Sequence, residues 1–394
     1  MMASMKYVKA LAPGKVNLAL RVGASRADGF HPLDTVFEAL DIYEELEAWA
    51  DPSGAITLEY DLAGFGADLP VDESNLAIRA AQALRERFVE NGMRTATDKG
   101  NAADCSDKSC SAGYSCGEGD ISGECISRKD EMGSDSPVSL SAACFGAHMK
   151  ILKRIPIAGG MAGGSADAAA ALVALNSLWE LGLDRAELAE IGADLGSDVP
   201  FILMGEIARG RSRGEDLVPL SSQCPHGFVM LINPEGLSTP AVFKEYDRLA
   251  AKRALLAGDN DTRGRGSSLL RDQAKNAETA KVSAPHSTAE LCAALTKAQE
   301  VRDIAPYMGN DLEEPAFSLR PDLREIAQKI RELQRRDTNM GAGVILSGSG
   351  PTIAVLCEPH ETQSVAAQLQ LHFPKLTMLC ACGPAQGAGV CSEW

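Results

Sequence analysis

Alternating apolar and polar positions near the amino terminus predict a β-strand. In LAPGKVNLALR, the apolar side chains of Val16, Leu18 and Leu20 fall on one face. Lys15 and Asn17 fall together on the opposite face. A lysine on a strand is most often a solvated edge residue, so the pattern alone leaves a structural and a functional interpretation open.

Helical and strand periods alternate through the rest of the chain. Apolar spacings of three and four predict helices at about 72–90, 166–180, 184–195 and 322–335. Apolar runs predict strands beginning near Val36, His148 and Phe228, and a strand–turn–strand unit over 341–356. With 45% hydrophobic and 23% charged residues, the composition is typical of a globular protein that mixes helices and sheets.

Two polar stretches interrupt this pattern. Residues from about 91 to 147 and from about 256 to 287 are poor in large apolar side chains and are predicted to be insertions without a core. The first contains four clustered cysteines, Cys105, Cys110, Cys116 and Cys125. Their spacing matches no standard zinc module, so free thiols are favoured over a metal or disulfide knot.

The length and net charge of the chain limit the number of domains and the kinds of partner that can be expected. A chain of 394 residues is long enough for two domains. The net charge of −16 argues against nucleic acid or an anionic membrane as the main partner, but it permits a small phosphorylated ligand in a local basic pocket. The first residues lack the apolar run of a signal peptide, and a cytoplasmic protein without membrane helices is expected.

The segment PIAGGMAGGSADAAA, residues 156–170, places four glycines ahead of an alanine-rich helix. Glycines let main-chain N–H groups approach an anion, and the helix amino terminus adds unpaired donors and a positive dipole end. Neither the Walker A nor the Rossmann spacing is present. The segment alone therefore leaves a phosphate site and a tight structural turn open. Lys153 and Arg154 are the nearest basic residues before it.

Two aspartates are candidates for a general base. Asp167 is predicted in the first turn of the glycine-loop helix, where helix stabilisation explains its charge. Asp198 is predicted at a junction between a helix end and a new strand, because Pro200 favours an extended Val199. A helix carboxyl end does not favour a negative charge there, so Asp198 is the preferred base.

Four stretches occur in a fixed order along the chain: APGKVNLAL, PIAGGMAGGSADAA, LGSDVPF and GAGVILSGSGPT. Together they resemble the GHMP kinase superfamily of small-molecule kinases. The resemblance implies an α+β fold of two domains, an ATP-binding domain over 1–210 and an α/β substrate domain over 211–394, with the active site in the cleft between them. The two polar stretches have no counterpart in this resemblance. The glycine–serine turn in the last stretch is too short to predict a phosphate site by itself.

The segment DGFHPLDTVF beside KVNLAL resembles one branch of the superfamily. Its members phosphorylate a hydroxyl group of a cytidine-diphosphate sugar alcohol in isoprenoid precursor synthesis, whereas mevalonate, homoserine and galactose kinases lack this segment. The implied cofactors are ATP and Mg²⁺. The implied partner is the small-molecule substrate, and the chain is expected to act as a monomer or homodimer.

The resemblance also implies roles for individual residues. Lys15 and Asp198 are the implied catalytic pair, and Ser165 is the candidate Mg²⁺ contact. Substrate contacts are implied for Asn17, His31, Phe30 and Phe243, with the two phenylalanines sandwiching the cytosine ring. ATP contacts are expected from Lys153, Pro156, Gly159, Gly160, Met161, Ala162, Gly163, Gly164 and Ser165. Three positions depart from the family pattern, which usually has tyrosine at Phe30, leucine at Met161 and serine at Ala166.

Three alternatives remain open at this stage. The chain could be a non-catalytic nucleotide sensor on the same fold, although Lys15 and Asp198 are intact. It could be a GHMP kinase for another small alcohol, such as homoserine or mevalonate. The cysteine-containing segment could be a metal module.

Overall fold

The computed structural model describes residues 6–27, 29–62, 69–99, 145–262 and 287–393. Among these residues, the chain forms both helices and strands, as the apolar periods predict. The strands are β1 (Tyr7–Val22), β2 (Leu33–Asp51), β3 (Ile56–Asp61), β4 (Gly146–Leu152), β5 (Ile207–Ser212), β6 (Asp216–Leu220), β7 (His226–Ile232), β8 (Gly309–Asn310), β9 (Gly343–Leu346), β10 (Ile353–Cys357), β11 (Thr377–Gly383) and β12 (Gly389–Glu393). The helices are α1 (Leu76–Lys99), α2 (Gly163–Leu178), α3 (Arg185–Leu195), α4 (Val199–Met204), α5 (Thr239–Thr262), α6 (Thr288–Leu295), α7 (Glu313–Leu319), α8 (Pro321–Arg336) and α9 (Thr362–His372).

The strands form two sheets. The first has the order β12-β1-β2-β4-β3, with β5 paired to β2 and β6, and the short β8 parallel to β1. The second is antiparallel, with the order β11-β7-β10-β9. The α+β fold with two sheet-centred units is therefore confirmed.

The long pair β1–β2 is irregular where the polar side chains lie. Its register shifts between Pro13 and Gly14 and again between Asn17 and Ala19. Such bulges re-aim side chains and recur beside active sites. Here the two shifts bracket the segment that carries Lys15 and Asn17, which are both buried.

Helix α2 is the centre of the first core. Its alanines Ala168, Ala169, Ala170 and Ala171 are fully buried against the sheet. Small side chains let the helix approach the strands closely, and the glycine loop that precedes the helix is fixed with it. Helix α3 begins with the predicted capping box, in which Asp184 and Glu187 bond to each other's main chain.

The predicted domain and insertion limits do not coincide with the ends of the helices and strands. The boundary at 210/211 cuts the β5–β6 hairpin, and β8 and β12 return from the carboxyl-terminal half to the first sheet. The expected insertion at 91–147 overlaps α1, which runs to Lys99, and β4, which begins at Gly146. The one at 256–287 overlaps α5, which runs to Thr262. The middle of each lies outside the described residues.

The structure covers only part of the chain to which the expectations about cysteines and membrane helices apply. The four clustered cysteines lie outside it, whereas the cysteines within it are free thiols: Cys224, Cys292, Cys357, Cys380, Cys382 and Cys391. Within the same described ranges, no helix combines the length and the apolar character that crossing a bilayer requires.

Candidate active site

The predicted site residues meet at one cavity of about 980 Å³. Its wall includes Lys15 and Asn17 of β1, the glycine loop ahead of α2, Asp198 and the first turns of α5. Phe30, His31 and Phe243 line it as well. Of the predicted residues, Met161 alone is absent from the wall, because its side chain is fully buried in the core.

The glycine loop has a backbone that few other sequences can adopt. Gly160, Ala158 and Ala162 all have positive φ. A Cβ atom at Gly160 would lie 2.1 Å from the Ser347 carbonyl oxygen, so a side chain cannot fit there. A Cβ atom at Gly164, in contrast, would make an ordinary contact with Leu76 at 3.6 Å, and this glycine is exposed.

The loop delivers the amino terminus of α2 to the cavity. The residue that precedes the helix, Ala162, provides no side-chain cap, and the first turn contains no acidic residue. Its main-chain N–H groups and positive dipole end are therefore not neutralised locally, which suits a phosphate group. These features fit the phosphate groups of a nucleoside triphosphate.

Asp167 was expected in the first turn of α2. Because the helix begins at Gly163, Asp167 lies beyond that turn. Its buried carboxylate instead accepts hydrogen bonds from Lys153 at 2.9 Å and from the Tyr60 hydroxyl at 3.1 Å. The structure thus gives Asp167 two structural partners, and its lower rank as a base stays a prediction.

Lys153 is buried behind the glycine loop. Its Nζ atom lies 2.6 Å from Glu44 as well as 2.9 Å from Asp167, and it approaches the Gly163 carbonyl oxygen at 3.5 Å. Burial raises the pKa of Glu44 to about 7. Although burial opposes the lysine charge, Asp167 and Glu44 raise the pKa of Lys153. This lysine supports the loop through two carboxylates, a network that the sequence did not reveal.

Lys15 points into the cavity from the centre of the first sheet. Its Nζ atom donates to the Asn17 side-chain oxygen at 2.7 Å and to the Gly160 carbonyl at 3.0 Å, and it lies 3.9 Å from Asp198. The lysine is only 4% exposed, so the solvated-edge interpretation is wrong. Burial lowers the pKa of Lys15, and the Asp198 carboxylate opposes this shift.

Asp198 lies at the start of a helix rather than before a strand. It precedes α4, which begins at Val199 with Pro200 in its first turn. A proline is tolerated there because its missing N–H has no helical partner. The expectation of an extended junction was therefore wrong, and a helix amino terminus favours the carboxylate. Its side chain makes no capping bond and is 33% exposed, so it faces the cavity.

The second glycine–serine turn supports the first. The hydroxyl of Ser347 donates to the Gly160 carbonyl at 3.1 Å. The buried Asn310 amide donates to the carbonyls of Leu346 at 2.8 Å and Gly348 at 2.7 Å. This turn, which is too short to predict a phosphate site by itself, therefore braces the glycine loop at the Gly160 carbonyl, to which Lys15 also donates.

Aromatic side chains form the far end of the cavity. The His31 ring stacks on Phe243 with centroids 5.2 Å apart, and its Nδ1 atom lies 2.8 Å from the Gly23 carbonyl oxygen. Phe30 is 51% exposed, and the Arg213 guanidinium lies 5.4 Å from its ring centroid. Arg213 also lines the cavity and was not predicted. This end can stack a flat ring.

The residues present fit Mg²⁺ only as an ion shared with a nucleotide. Within the described part of the chain, no group of three or more His, Cys, Asp or Glu side chains could hold a metal. Ser165 lies in the first turn of α2 and lines the cavity. One hydroxyl is enough when phosphate oxygens and waters supply the other ligands.

Comparison with known proteins agrees with this geometry. The sequence profile described as "GHMP kinases N terminal domain" matches residues 129–206, and "GHMP kinases C terminal" matches residues 289–375. The first match begins inside the stretch that was expected to be an insertion. It includes the glycine loop and Asp198, and the second includes the turn around Ser347.

A curated relative from Nocardia farcinica, 4-diphosphocytidyl-2-C-methyl-D-erythritol kinase, is 36% identical over 96% of this chain and 94% of its own length. A crystal structure of 4-(cytidine 5'-diphospho)-2C-methyl-D-erythritol kinase is 24% identical, with a TM-score of 0.57, covering 95% of this chain and 98% of that one. Homoserine kinase from Cytophaga hutchinsonii has a TM-score of 0.58 at 14% identity, covering 99% of both chains. The fold alone is thus common to kinases of different alcohols. The 36% identity to the Nocardia farcinica protein extends over nearly the full length of both chains. It shows that the chain belongs to the GHMP kinases, in the family of the 4-diphosphocytidyl-2-C-methyl-D-erythritol kinases.

Proposed function

We propose that this kinase transfers a phosphoryl group from ATP to the 2-hydroxyl of 4-diphosphocytidyl-2-C-methyl-D-erythritol. The reaction belongs to the non-mevalonate route to isoprenoid precursors. The observation that carries the proposal is the placement of Lys15 and Asp198 beside the glycine loop, in the same cavity as the aromatic end. An acceptor that spans the two ends must carry both a flat ring and a hydroxyl.

The ATP end of the proposal rests on the loop from Gly159 to Ser165, with Pro156 beside it on the cavity wall. Main-chain donors at the start of α2 hold the triphosphate, and Lys153 keeps the loop in place from behind. Ser165 would supply a hydroxyl ligand to Mg²⁺. When bound, Mg²⁺ would neutralise the charge that develops on the phosphate oxygens.

Asp198 is the proposed general base. Its carboxylate accepts the proton of the attacking hydroxyl, and the Lys15 ammonium stabilises the negative charge that remains on that oxygen. Burial holds Lys15 in a water-poor environment, where such an interaction is stronger than in bulk solvent. Asn17 holds the lysine in position, because its side-chain oxygen accepts one of the ammonium hydrogens.

The cytidine end rests on Phe30, His31 and Phe243. Phe30 and Phe243 provide the apolar ring faces that a cytosine needs for stacking. Phenylalanine in place of the usual tyrosine keeps this face and loses one hydroxyl. The proposal therefore assigns base stacking, and no hydrogen bond, to the side chain of Phe30.

A coupled assay of ADP release tests the function. The enzyme is supplied with ATP and Mg²⁺ and, in separate reactions, with 4-diphosphocytidyl-2-C-methyl-D-erythritol, homoserine or mevalonate. We expect turnover with the cytidyl substrate only. Turnover with homoserine or mevalonate instead would reassign the substrate, and ATP binding without turnover on any alcohol would make the protein a nucleotide sensor. We further propose a cytoplasmic location, where ATP is available.

A further inference from the structure

A buried polar cluster lies where the second sheet packs against the first. It consists of Glu38 on β2, His226 on β7 and Ser222 in the segment before β7. The side chains of Glu38 and His226 are both fully buried, and neither residue lines the cavity. The phosphoryl transfer proposed above gives this cluster no part.

The hydrogen bonds of the cluster define the charge of His226. Its Nδ1 atom lies 2.7 Å from a carboxylate oxygen of Glu38, and its Nε2 atom lies 3.1 Å from the Ser222 hydroxyl oxygen. That hydroxyl donates its hydrogen to the Cys224 carbonyl at 2.9 Å, so its oxygen accepts from His226. Both ring nitrogens therefore carry hydrogens. Although burial opposes this charge, the carboxylates of Glu38 and Glu358 raise the pKa of His226.

The Glu38 carboxylate occupies space that a glycine leaves free. Gly383 on β11 is the register partner of His226, and a Cβ atom at Gly383 would lie 2.3 Å from the Glu38 Oε1 atom. Oε1 accepts no hydrogen bond from the residues that the structure describes. The contact with His226 is thus the hydrogen bond that compensates for the burial of this charge.

Glu38 lies directly behind the proposed catalytic lysine. In the β1–β2 ladder, Glu38 is opposite Val16, and the next pair joins Lys15 to Ala39. Because successive side chains of a strand point to opposite faces, Glu38 points to the face of the sheet away from Lys15. The cluster therefore holds β2 from behind at the level of the active site.

The next residue of β2 connects this point to Asp198. The N–H of Ala39 donates to the Glu206 carbonyl at 2.9 Å. Glu206 follows α4, and Asp198 precedes the same helix. A displacement of β2 at Glu38 thus reaches both Lys15, through the ladder, and Asp198, through α4.

We propose that His226 and Glu38 are positioning residues, whose ion pair between the two sheets holds β2 so that Lys15 stays in place beside Asp198. This inference rests on the proposed function, because it assigns the pair to the geometry of that reaction. A misplacement of about 1 Å at the reacting groups costs up to about 100-fold in rate. Since the strand ladder limits the movement of β2, a loss of about tenfold is expected when the pair is broken.

The test measures kcat and KM for His226→Asn, Glu38→Gln and the double variant. In His226→Asn an uncharged amide replaces the ring, and Glu38→Gln leaves the imidazolium without its carboxylate. We expect each single change to lower kcat about tenfold with unchanged KM values, and the double variant, in which two neutral amides pair, to regain most of this loss. The control is His148→Gln, because His148 is a partly exposed residue of β4 outside the cavity wall.

Unchanged kcat in the folded single variants would overturn the inference, as would losses that simply add in the double variant. Ser222→Ala is the milder change to use where a single variant does not fold. It removes the acceptor of the Nε2 hydrogen, so kcat should fall about threefold with KM unchanged. A kcat equal to that of the unchanged enzyme in Ser222→Ala would also overturn the inference.

NMR of enzyme labelled with ¹⁵N in its lysine side chains separates this inference from the proposed reaction. The Nζ signal of Lys15, assigned by its absence in Lys15→Gln, should move in His226→Asn and stay in place in His148→Gln. Such a shift supports the positioning of Lys15 by His226 even when no alcohol is phosphorylated. A Lys15 signal that is identical in the unchanged enzyme and in His226→Asn would refute it.

Discussion

The Nζ atom of Lys15 lies 3.9 Å from a carboxylate oxygen of Asp198, although the two residues come from a central strand and from the start of a distant helix. Lys15 is buried, whereas Asp198 remains open to the cavity. A buried cation beside an accessible carboxylate is the arrangement that proton removal from a bound alcohol requires. The predictions below follow from this pair and from the loop that it faces.

Replacing the base should remove the chemical step and leave binding intact. In Asp198→Asn, the amide cannot accept the hydroxyl proton, so kcat should fall by about 10²–10⁴-fold, with small changes in the affinity for either substrate. Steady-state kinetics and calorimetric binding measure the two effects. Asp194→Asn is the matched control, because Asp194 is exposed on α3 and does not line this cavity. A kcat near that of the unchanged enzyme would assign the base elsewhere.

Replacing the lysine should act on the transition state. Lys15→Gln removes the positive charge, and we expect kcat to fall by about 10²–10³-fold, the range seen when one stabilising donor is lost. The control is Lys9→Gln on the same strand, since Lys9 pairs with Glu45 and is absent from the cavity wall. If Lys15→Gln raised only the KM values and kept kcat, the residue would serve binding rather than catalysis.

The glycine loop should not tolerate a side chain at Gly160. Its φ of 75° and the Cβ clash with Ser347 force the loop to move, so Gly160→Ala should raise the KM for ATP at least about tenfold and destabilise the fold by about 1–3 kcal/mol. Kinetics and thermal unfolding report the two effects. Gly389→Ala is the control, because its nearest atom beyond the chain neighbours is 3.9 Å from the Cβ position. Unchanged ATP affinity in Gly160→Ala would contradict the loop assignment.

The buried pair of Glu44 and Lys153 behind the glycine loop should make the free energy of unfolding depend on pH. Burial raises the pKa of Glu44 to about 7, above its ordinary value of 4.5 in the unfolded chain. The folded state therefore binds the proton more tightly, and the contribution of Glu44 to stability is present below about pH 4.5 and is lost as the pH rises through about 7. Glu44→Gln does not titrate, so its free energy of unfolding should rise relative to the unchanged protein across this window. Urea unfolding at several pH values measures this difference, and a constant difference would show that Glu44 is not perturbed.

The sequence predicted the local parts of the site and missed the parts that depend on docking. Strand alternation placed Lys15 and Asn17 on one face, and their side chains are hydrogen-bonded at 2.7 Å. The glycine loop and the helix after it were also predicted from local pattern. Asp198 lies on the cavity wall, but its predicted setting was wrong, because a proline is compatible with the first turn of a helix as well as with an extended segment.

The support of the site could not be inferred locally. Glu44 and Asp167 reach Lys153 from elements that are far apart in the chain, and no spacing rule predicts a buried ion pair of this kind. The same holds for Ser347 and Asn310, whose contacts exist only because the second sheet packs against the first. Each of these residues lies in an ordinary local pattern, and its role appears only in the packed structure.

The most direct test of the account identifies the product of the reaction. Phosphorus NMR of a mixture of the enzyme, ATP, Mg²⁺ and 4-diphosphocytidyl-2-C-methyl-D-erythritol should show a new phosphomonoester on the 2-oxygen, an intact cytidyl diphosphate and one ADP for each product molecule. Asp198→Asn in the same mixture should show almost none of it. ADP formation without a phosphorylated product, or a phosphomonoester on another oxygen, would contradict the assignment of Lys15 and Asp198 to this transfer.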